Sequence, residues 1–180
     1  MRIRGAIERA ADVLLGVQTW GYQEVAGAEN NPYSPVPWTA LIPMLMSVPK
    51  SSLRGSFVDL GCGKGRVLTA ASFLGFSRVV GVEIDAELCV AAERNRGSRR
   101  YEVVCADACK YVAPADTSVL FLGNPFVGSV LETAMRNNCT DGRLMLCYYN
   151  TGKVNRAALD LGIGLTEISH GHNWAAYTVG

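Results

Sequence analysis

The chain has 180 residues, of which 49% are hydrophobic and 18% are charged, and its formal net charge is +1. This length suits one domain with a single core, and no apolar run reaches the roughly 20 residues of a membrane span. A charge so close to zero lacks the basic excess of a dedicated nucleic-acid binder. The composition therefore predicts one soluble globular domain without a membrane partner.

Six cysteines are spread along the sequence without a CxxC pair or histidine partners at zinc-binding spacing. They are Cys62, Cys89, Cys105, Cys109, Cys139 and Cys147. Most fall in predicted strands or helices, so we expect reduced core residues and no metal site. The first 18 residues lack the continuous apolar stretch of a secretory signal. These features predict a cytoplasmic protein.

The N-terminal residues 7–15 predict a helix with two faces. Apolar and small residues recur there at helical spacing, whereas Glu8, Arg9 and Asp12 fall on the opposite side. The repeating residues are Ile7, Ala10, Ala11, Leu14 and Leu15. We expect this helix to pack its apolar face on the rest of the domain.

Three prolines in residues 30–37 predict a stiff, extended connector that is neither helix nor central strand. A second helix is expected over residues 38–48. We therefore treat residues 1–52 as an N-terminal cap of helices and proline-rich chain, and residues 53–180 as the core of the same single domain.

After the cap, short apolar runs alternate with helical segments, which is typical of βαβ units and a parallel sheet. The predicted strands are 57–60, 79–82, 101–105, 119–122 and 144–149. One helix is predicted over 66–74, and another is capped by Asp85 and ended by Gly97. Two further strands, 165–170 and 175–179, predict an antiparallel C-terminal hairpin. The expected fold is a three-layer α/β sandwich around a mostly parallel seven-stranded sheet.

The segment 57–68, FVDLGCGKGRVL, carries a strand into a glycine-rich turn and then a helix. Its glycines are Gly61, Gly63 and Gly65. Glycines let the backbone turn sharply and let a ligand lie against main-chain atoms. Three alternating glycines behind an acidic residue are more than a tight turn needs, so the segment predicts a cofactor loop.

The glycine spacing selects the cofactor. In a dinucleotide site the third glycine would stand where this chain has Arg66, which disfavours a nicotinamide-dependent oxidoreductase. With Asp59 upstream, the segment resembles motif I of the class I, Rossmann-like methyltransferases, and the resemblance extends over residues 57–150. It implies S-adenosylmethionine as cofactor, S-adenosylhomocysteine as product and no metal. Asp59, Cys62 and the three glycines would contact the cofactor.

The resemblance assigns further cofactor contacts after the next two strands. Glu83 ends the strand in VVGVEID, where a carboxylate can accept both ribose hydroxyls. Ile84 would then lie against the adenine ring, and Asp107 and Ala108 of CADA would lie near the adenine amino group.

After the fourth strand, residues 122–126 read LGNPF, at the place where this family holds the methyl acceptor. Asn124, Pro125 and Phe126 resemble a reduced form of the NPP(Y/F) motif, in which the asparagine and the following carbonyl hold an amino group. The second proline is absent here. We expect these three residues to act at the acceptor, with Asn124 also touching the cofactor.

The proline-rich connector resembles the YxPTP-type lead-in of small bacterial methyltransferase-like proteins. Tyr33 and Trp38 would then form part of the acceptor pocket, unless the segment only packs the N-terminal helices onto the sheet.

The predicted activity is methyl transfer to a nitrogen or oxygen of an unidentified acceptor, either a protein side chain or a small molecule. A non-catalytic methyltransferase-like binding or regulatory module is the alternative, and a nucleic-acid acceptor is less favoured. The sequence leaves the oligomeric state open.

Overall fold

A computed structural model describes residues 2–180 of the chain, with side chains from Gly5 onward. Met1, the first residue of the predicted N-terminal cap, lies outside the described residues. The helices are α1 (Arg2–Leu14), α2 (Trp38–Met46), α3 (Arg66–Ala71), α4 (Ala86–Arg96), α5 (Gly128–Asn138) and α6 (Thr151–Leu161). The strands are β1 (Ser56–Leu60), β2 (Arg78–Glu83), β3 (Glu102–Cys105), β4 (Thr117–Leu122), β5 (Leu144–Tyr148), β6 (Leu165–Gly171) and β7 (Trp174–Val179). A short 3-10 helix, Lys50–Arg54, precedes β1.

The strands form one seven-stranded sheet in the order β3-β2-β1-β4-β5-β7-β6. Strands β1 to β5 run parallel, and β7 lies antiparallel between β5 and β6. The predicted mostly parallel sheet with an antiparallel C-terminal hairpin is therefore confirmed. The order in which the chain adds strands reverses between β1 and β4. Open α/β sheets bind their ligands at such a point.

Both faces of the sheet are covered, because its central strands are apolar on both sides. Every residue of β1 is buried, as is typical of parallel strands between two helical layers. Phe57 packs with residues of α2 and α3 on one face, whereas Val58 packs with residues of α5 and α6 on the other. These contacts make the three layers that the sequence predicted.

Helix α4 begins and ends where the sequence indicated. The Asp85 side chain accepts hydrogen bonds from the backbone N–H groups of Glu87 and Leu88, at 2.9 and 3.0 Å, and Gly97 follows the last turn with φ of 55°. Helix α3 is shorter than predicted and ends at Ala71, because residues 72–75 form turns instead.

The prediction for the faces of α1 is wrong. Ile7 and Leu14 are 52% and 86% exposed, whereas Glu8 and Asp12 are only 3% and 4% exposed. The helix turns its acidic face inward because both carboxylates bind the buried guanidinium of Arg66. A buried cation of this kind has to be paired, and this pairing outweighs the apolar pattern of the helix.

All six cysteines are free. Cys62, Cys89 and Cys147 are buried, as expected of core residues, but Cys105 is exposed at the end of β3 and Cys109 and Cys139 are half-buried. Helices long and apolar enough to cross a membrane are absent from the described part of the chain.

Candidate functional site

A cleft of about 800 Å³, counted to its open mouth, lies at the carboxyl ends of β1, β2 and β4. The glycine loop, the ends of β2 and β3, the turn after β4 and the proline-rich segment of the cap all contribute to its walls. The cleft therefore occupies the point where the strand order reverses, which is the usual ligand site of such a sheet.

The glycine loop approaches the other walls of the cleft closely. Gly61 and Gly63 have φ of 82° and 54°. A Cβ on Gly61 would lie 2.1 Å from the side chain of Pro125, and one on Gly63 would lie 2.3 Å from the ring of Tyr33. Both positions therefore need glycine for conformation and for space.

Gly65, which the sequence predicts at the cofactor, does not line the cleft. A Cβ there would lie 3.3 Å from Ala92 of α4 and 3.2 Å from the hydroxyl of Tyr101. Gly65 therefore lets α4 and Tyr101, the residue before β3, pack against the start of α3. Cys62, by contrast, is buried in the cleft wall, and burial raises the pKa of its thiol well above the usual range.

Glu83 reaches across from the end of β2 to the glycine loop. Its Oε2 accepts a hydrogen bond from the N–H of Gly63, and its Oε1 accepts from the N–H groups of Ile84 and Asp85, each at 2.9 Å. The carboxylate is 6% exposed. Burial raises the pKa of Glu83, while the backbone hydrogen bonds act in the opposite direction.

Asp59 lies one strand away, at the end of β1, and is 1% exposed. Its Oδ1 is buried and has no hydrogen-bond partner among the residues that the structure describes. Burial first, and then the charge of Glu83, raise the pKa of Asp59 well above the usual range. A buried carboxyl oxygen without a partner is costly, and a cationic ligand group in the cleft would supply that partner.

The opposite end of the cleft is formed by residues that follow β2 and β3. Ile84 is 47% exposed there, and Ala108 is buried. Asp107 lines the same end, with its Oδ1 accepting from the N–H of Cys109 at 2.9 Å. An exposed aliphatic side chain beside a carboxylate is suited to a flat, polar-edged ring.

The N-terminal cap closes the cleft through backbone pairing. Asn30 forms an antiparallel bridge with Phe126, and the N–H of Asn31 donates to the carbonyl of Pro125 at 2.8 Å. Tyr33 lies over Gly63, and its hydroxyl donates to the carbonyl of Thr19. Burial raises the pKa of the Tyr33 phenol. The cap is therefore part of the cleft wall.

The turn after β4 has a strained backbone. Asn124 has φ of 64°, in the left-handed region that few non-glycine residues adopt. Its Oδ1 accepts from Nδ2 of Asn150 at 2.7 Å and from Nδ2 of Asn31 at 3.2 Å. Phe126 is buried in the adjoining wall. Asn124, Pro125 and Phe126 thus lie together at the cleft.

Trp38 is not at the cleft, although the sequence placed it in the acceptor pocket. Its indole N–H donates to Oδ1 of Asp12 at 2.8 Å, and its ring lies 5.0 Å from the guanidinium carbon of Arg66. Trp38 is held in the core by these contacts and is 5% exposed. It contacts Arg66, which lines the cleft.

Three polar residues of the site were missed by the sequence reasoning. Asn31 and Asn150 hold Asn124, and Glu29 binds the start of α5 through the N–H of Val130 at 2.9 Å. The hydrogen bonds from Ser129 and Val130 lower the pKa of Glu29. An isolated asparagine or glutamate in a loop gives no sequence signal, because its partner lies far along the chain, from 26 residues for Asn150 to 101 residues for Glu29.

Residues 58–122, about a third of the chain, match the model of the methyltransferase domain family. No curated protein is close enough in sequence to count as a relative. Within the part of the chain that the structure describes, there is no cluster of three or more histidine, cysteine, aspartate or glutamate side chains that could hold a metal.

Solved methyltransferase structures share the fold. A candidate RNA methyltransferase from Pyrococcus horikoshii is 17% identical, with a TM-score of 0.64 over 96% of this chain and 95% of its own. A TehB-like methyltransferase from Corynebacterium glutamicum is 19% identical, with a TM-score of 0.56 over 78% of this chain and 85% of its own. A segment of the StiE O-methyltransferase is 16% identical, with a TM-score of 0.53. The match covers 69% of this chain and 51% of that segment. The chain therefore has the Rossmann-like methyltransferase fold.

Proposed function

We propose that the chain is an S-adenosylmethionine-dependent methyltransferase that acts on a nitrogen or oxygen of a protein side chain or small molecule. The observation that carries this proposal is the pair of buried carboxyl groups, Asp59 and Glu83, on either side of the glycine loop in one cleft. The match of residues 58–122 to the methyltransferase domain model supports it.

The residues present fit the cofactor along the whole cleft. The partnerless Oδ1 of Asp59 suits the ammonium of the amino-acid end, and Glu83 suits the vicinal hydroxyls of the ribose. Ile84 and Asp107 suit the face and the edge of the adenine ring. Gly61 and Gly63 keep the loop free of side chains, whereas Gly65 acts through helix packing.

S-adenosylmethionine, when bound, supplies a methyl group attached to a cationic sulfur, and the neutral thioether is a good leaving group. The protein then has to align the acceptor and exclude water, which can contribute several kcal/mol to the barrier. Asn124 and the rigid Pro125 position the acceptor, and Phe126 forms an apolar wall beside it. Tyr33, held between Gly63 and Thr19, closes the same region from the cap.

We further propose that residues 1–52 act as a cap of the core 53–180, and that the protein works in the cytoplasm with reduced cysteines. The cap residues Asn30, Asn31 and Tyr33 supply part of the cleft wall, which supports the first of these proposals. The free thiols are compatible with the second.

Calorimetric titration with S-adenosylmethionine, S-adenosylhomocysteine and NAD tests the proposal. We expect micromolar binding of both sulfur compounds and no binding of NAD. Binding of neither sulfur compound would refute it. Tight binding without methyl transfer to any acceptor in a radiolabel screen would favour the non-catalytic binding module.

A further inference from the structure

The oxygen atoms of the turn after β4 are already engaged by the protein itself. The side-chain oxygen of Asn124 accepts from Asn150 and Asn31, and its main-chain oxygen accepts from Nδ2 of Asn31 at 3.0 Å. The carbonyl of Pro125 accepts from the N–H of Asn31 at 2.8 Å. These are the oxygens that an incoming amino group would need as partners.

The direction of these hydrogen bonds is fixed by chemistry. A main-chain carbonyl can only accept, so the Asn31 amide has to present its Nδ2 to the oxygen of Asn124. The same Nδ2 faces the Asn124 side chain, which therefore presents its oxygen in return. With Asn150 as second donor, both lone pairs of Asn124 Oδ1 are used.

The nitrogen of the Asn124 amide is left over. Among the described residues none accepts a hydrogen bond from Nδ2 of Asn124, and the residue lines the cleft. Asn124 borders both this cleft and a smaller pocket beside Asn150, and the free group of its amide is a donor and not an acceptor. A ligand atom beside it gains most by carrying lone pairs and no hydrogen.

Among the described side chains that line the cleft, no ionisable one is suited to removing a proton from the acceptor. Those that line it are Tyr33, Asp59, Cys62, Arg66, Glu83 and Asp107. Burial raises the pKa of the Tyr33 phenol and of the Cys62 thiol, so both keep their protons. Arg66 is bound in ion pairs, and the three carboxyl groups are those proposed to hold the cofactor. An acceptor that arrives already ionised needs no base.

Resting on the proposed methyltransferase function, we infer that the acceptor is an oxyanion, a carboxylate or phenolate, whose oxygen is held by Nδ2 of Asn124. Asn31 and Asn150 are positioning residues that set the orientation of that amide. The acceptor oxygen forms the new O–C bond with one of its lone pairs while the methyl carbon–sulfur bond breaks. Sulfur keeps the electron pair of the broken bond, and no proton moves.

The inference is tested by nuclear magnetic resonance on protein saturated with S-adenosylhomocysteine. The side-chain amide signals of Asn124 are identified by their loss in Asn124→Ala. We expect benzoate or 4-nitrophenolate to shift these signals, and benzylamine at the same concentration to leave them in place. A response to benzoate alone identifies a carboxylate site, and a response to the phenolate alone identifies a phenolate site.

A variant of Asn150 tests whether the orientation of the Asn124 amide matters, because it keeps Asn124 itself in place. Asn150→Ala frees one lone pair of Asn124 Oδ1, so the preference for benzoate over benzylamine should fall by about tenfold. Asn155→Ala, which removes an exposed asparagine of helix α6, the helix that Asn150 precedes, should leave the preference unchanged. The inference is overturned if benzylamine shifts the Asn124 signals, or if no probe does so while S-adenosylhomocysteine binds. Failure of S-adenosylhomocysteine to bind would instead count against the proposed function.

Discussion

Arg66 and Glu8 form a buried ion pair, with Nη1 of the guanidinium 2.6 Å from Oε2 of the carboxylate, across a sequence separation of 58 residues. Arg66 also binds Asp12 at 2.9 Å and Thr19 at 2.6 Å. Because Arg66 is the first residue of α3, directly after the glycine loop, these contacts hold helix α1 next to that loop.

Replacing Arg66 with methionine should destabilise the protein by about 3–5 kcal/mol, because Glu8 and Asp12 would be left buried without a counterion. Urea unfolding followed by circular dichroism measures the effect. If that variant does not fold, Glu8→Gln provides a milder change in the same network, with a smaller loss of stability.

The matched control is Arg78→Met. Arg78 pairs with Glu102 at 2.6 Å, but both side chains are about half exposed, so its loss should cost about 1 kcal/mol or less. Equal effects of the two arginine substitutions would show that burial of the Arg66 network adds nothing to stability.

Substituting Glu83→Gln should weaken binding of S-adenosylhomocysteine about tenfold or more, because charge-assisted hydrogen bonds to the ribose become neutral ones. Isothermal titration calorimetry gives the change in Kd. Glu87→Gln, on the exposed first turn of α4, should bind like the wild type. An unchanged Kd for the Glu83 variant would remove this residue from the ribose site.

Asp59 should make the ligand-free protein less stable as the pH rises. Its folded-state pKa is raised well above the usual range, by burial and then by the charge of Glu83, whereas the unfolded chain titrates near 3.9. The contribution of this group to stability is therefore complete below about pH 4 and is lost as the pH rises through the folded-state pKa.

Asp59→Asn should abolish that dependence and leave the ligand-free variant more stable than the wild type near neutral pH. The free energy of unfolding in urea, measured for both proteins at several values between about pH 4 and 8, provides the test. A difference between the two proteins that stays constant over this range would contradict the assignment.

Gly63→Ala should displace Tyr33 from the cleft wall, since the new Cβ would lie 2.3 Å from the tyrosine ring. Gly75→Ala is the matched control, because Gly75 also has positive φ, 85°, but no described residue lies within 4 Å of its Cβ position. Both variants incur the conformational cost of about 1 kcal/mol, and only the first should also lose affinity for S-adenosylhomocysteine. Equal affinities in calorimetry would mean that the contact between Gly63 and Tyr33 is unimportant for binding.

The central strands and helices could be predicted from the sequence because each depends on residues that are close together along the chain. The apolar run 57–60, the cap at Asp85 and the stop at Gly97 each depend on neighbouring residues, and each is found in the structure. The mostly parallel sheet followed from the βαβ rhythm, and the antiparallel hairpin followed from the short turn between the last two strands, whereas the strand order is known only from the structure. The glycine loop was likewise predicted from its local sequence, and Glu83 was predicted at the end of its strand, where the structure has it. The binding roles of these residues remain predictions.

The cap was not predictable in the same way, because distant partners decide its structure. Helical periodicity assigned Glu8 and Asp12 to solvent, and only the position of Arg66 in three dimensions reverses that assignment. Trp38 lies in the core for the same reason, because its indole N–H donates to Asp12, a member of this network. The exposed thiol of Cys105 is another exception, since β3 lies at the edge of the sheet.

Contacts across the cleft join residues that are far apart along the chain, such as Asn31 with Asn124, 93 residues on, and Glu29 with Val130, 101 residues on. Closing such long loops costs chain entropy before any contact forms, so high contact order slows folding. During synthesis the cap has to wait for residues 124–130 to emerge from the ribosome. The ligand site is thus completed late, and a small molecule that bridges its two sides would favour the finished protein by mass action.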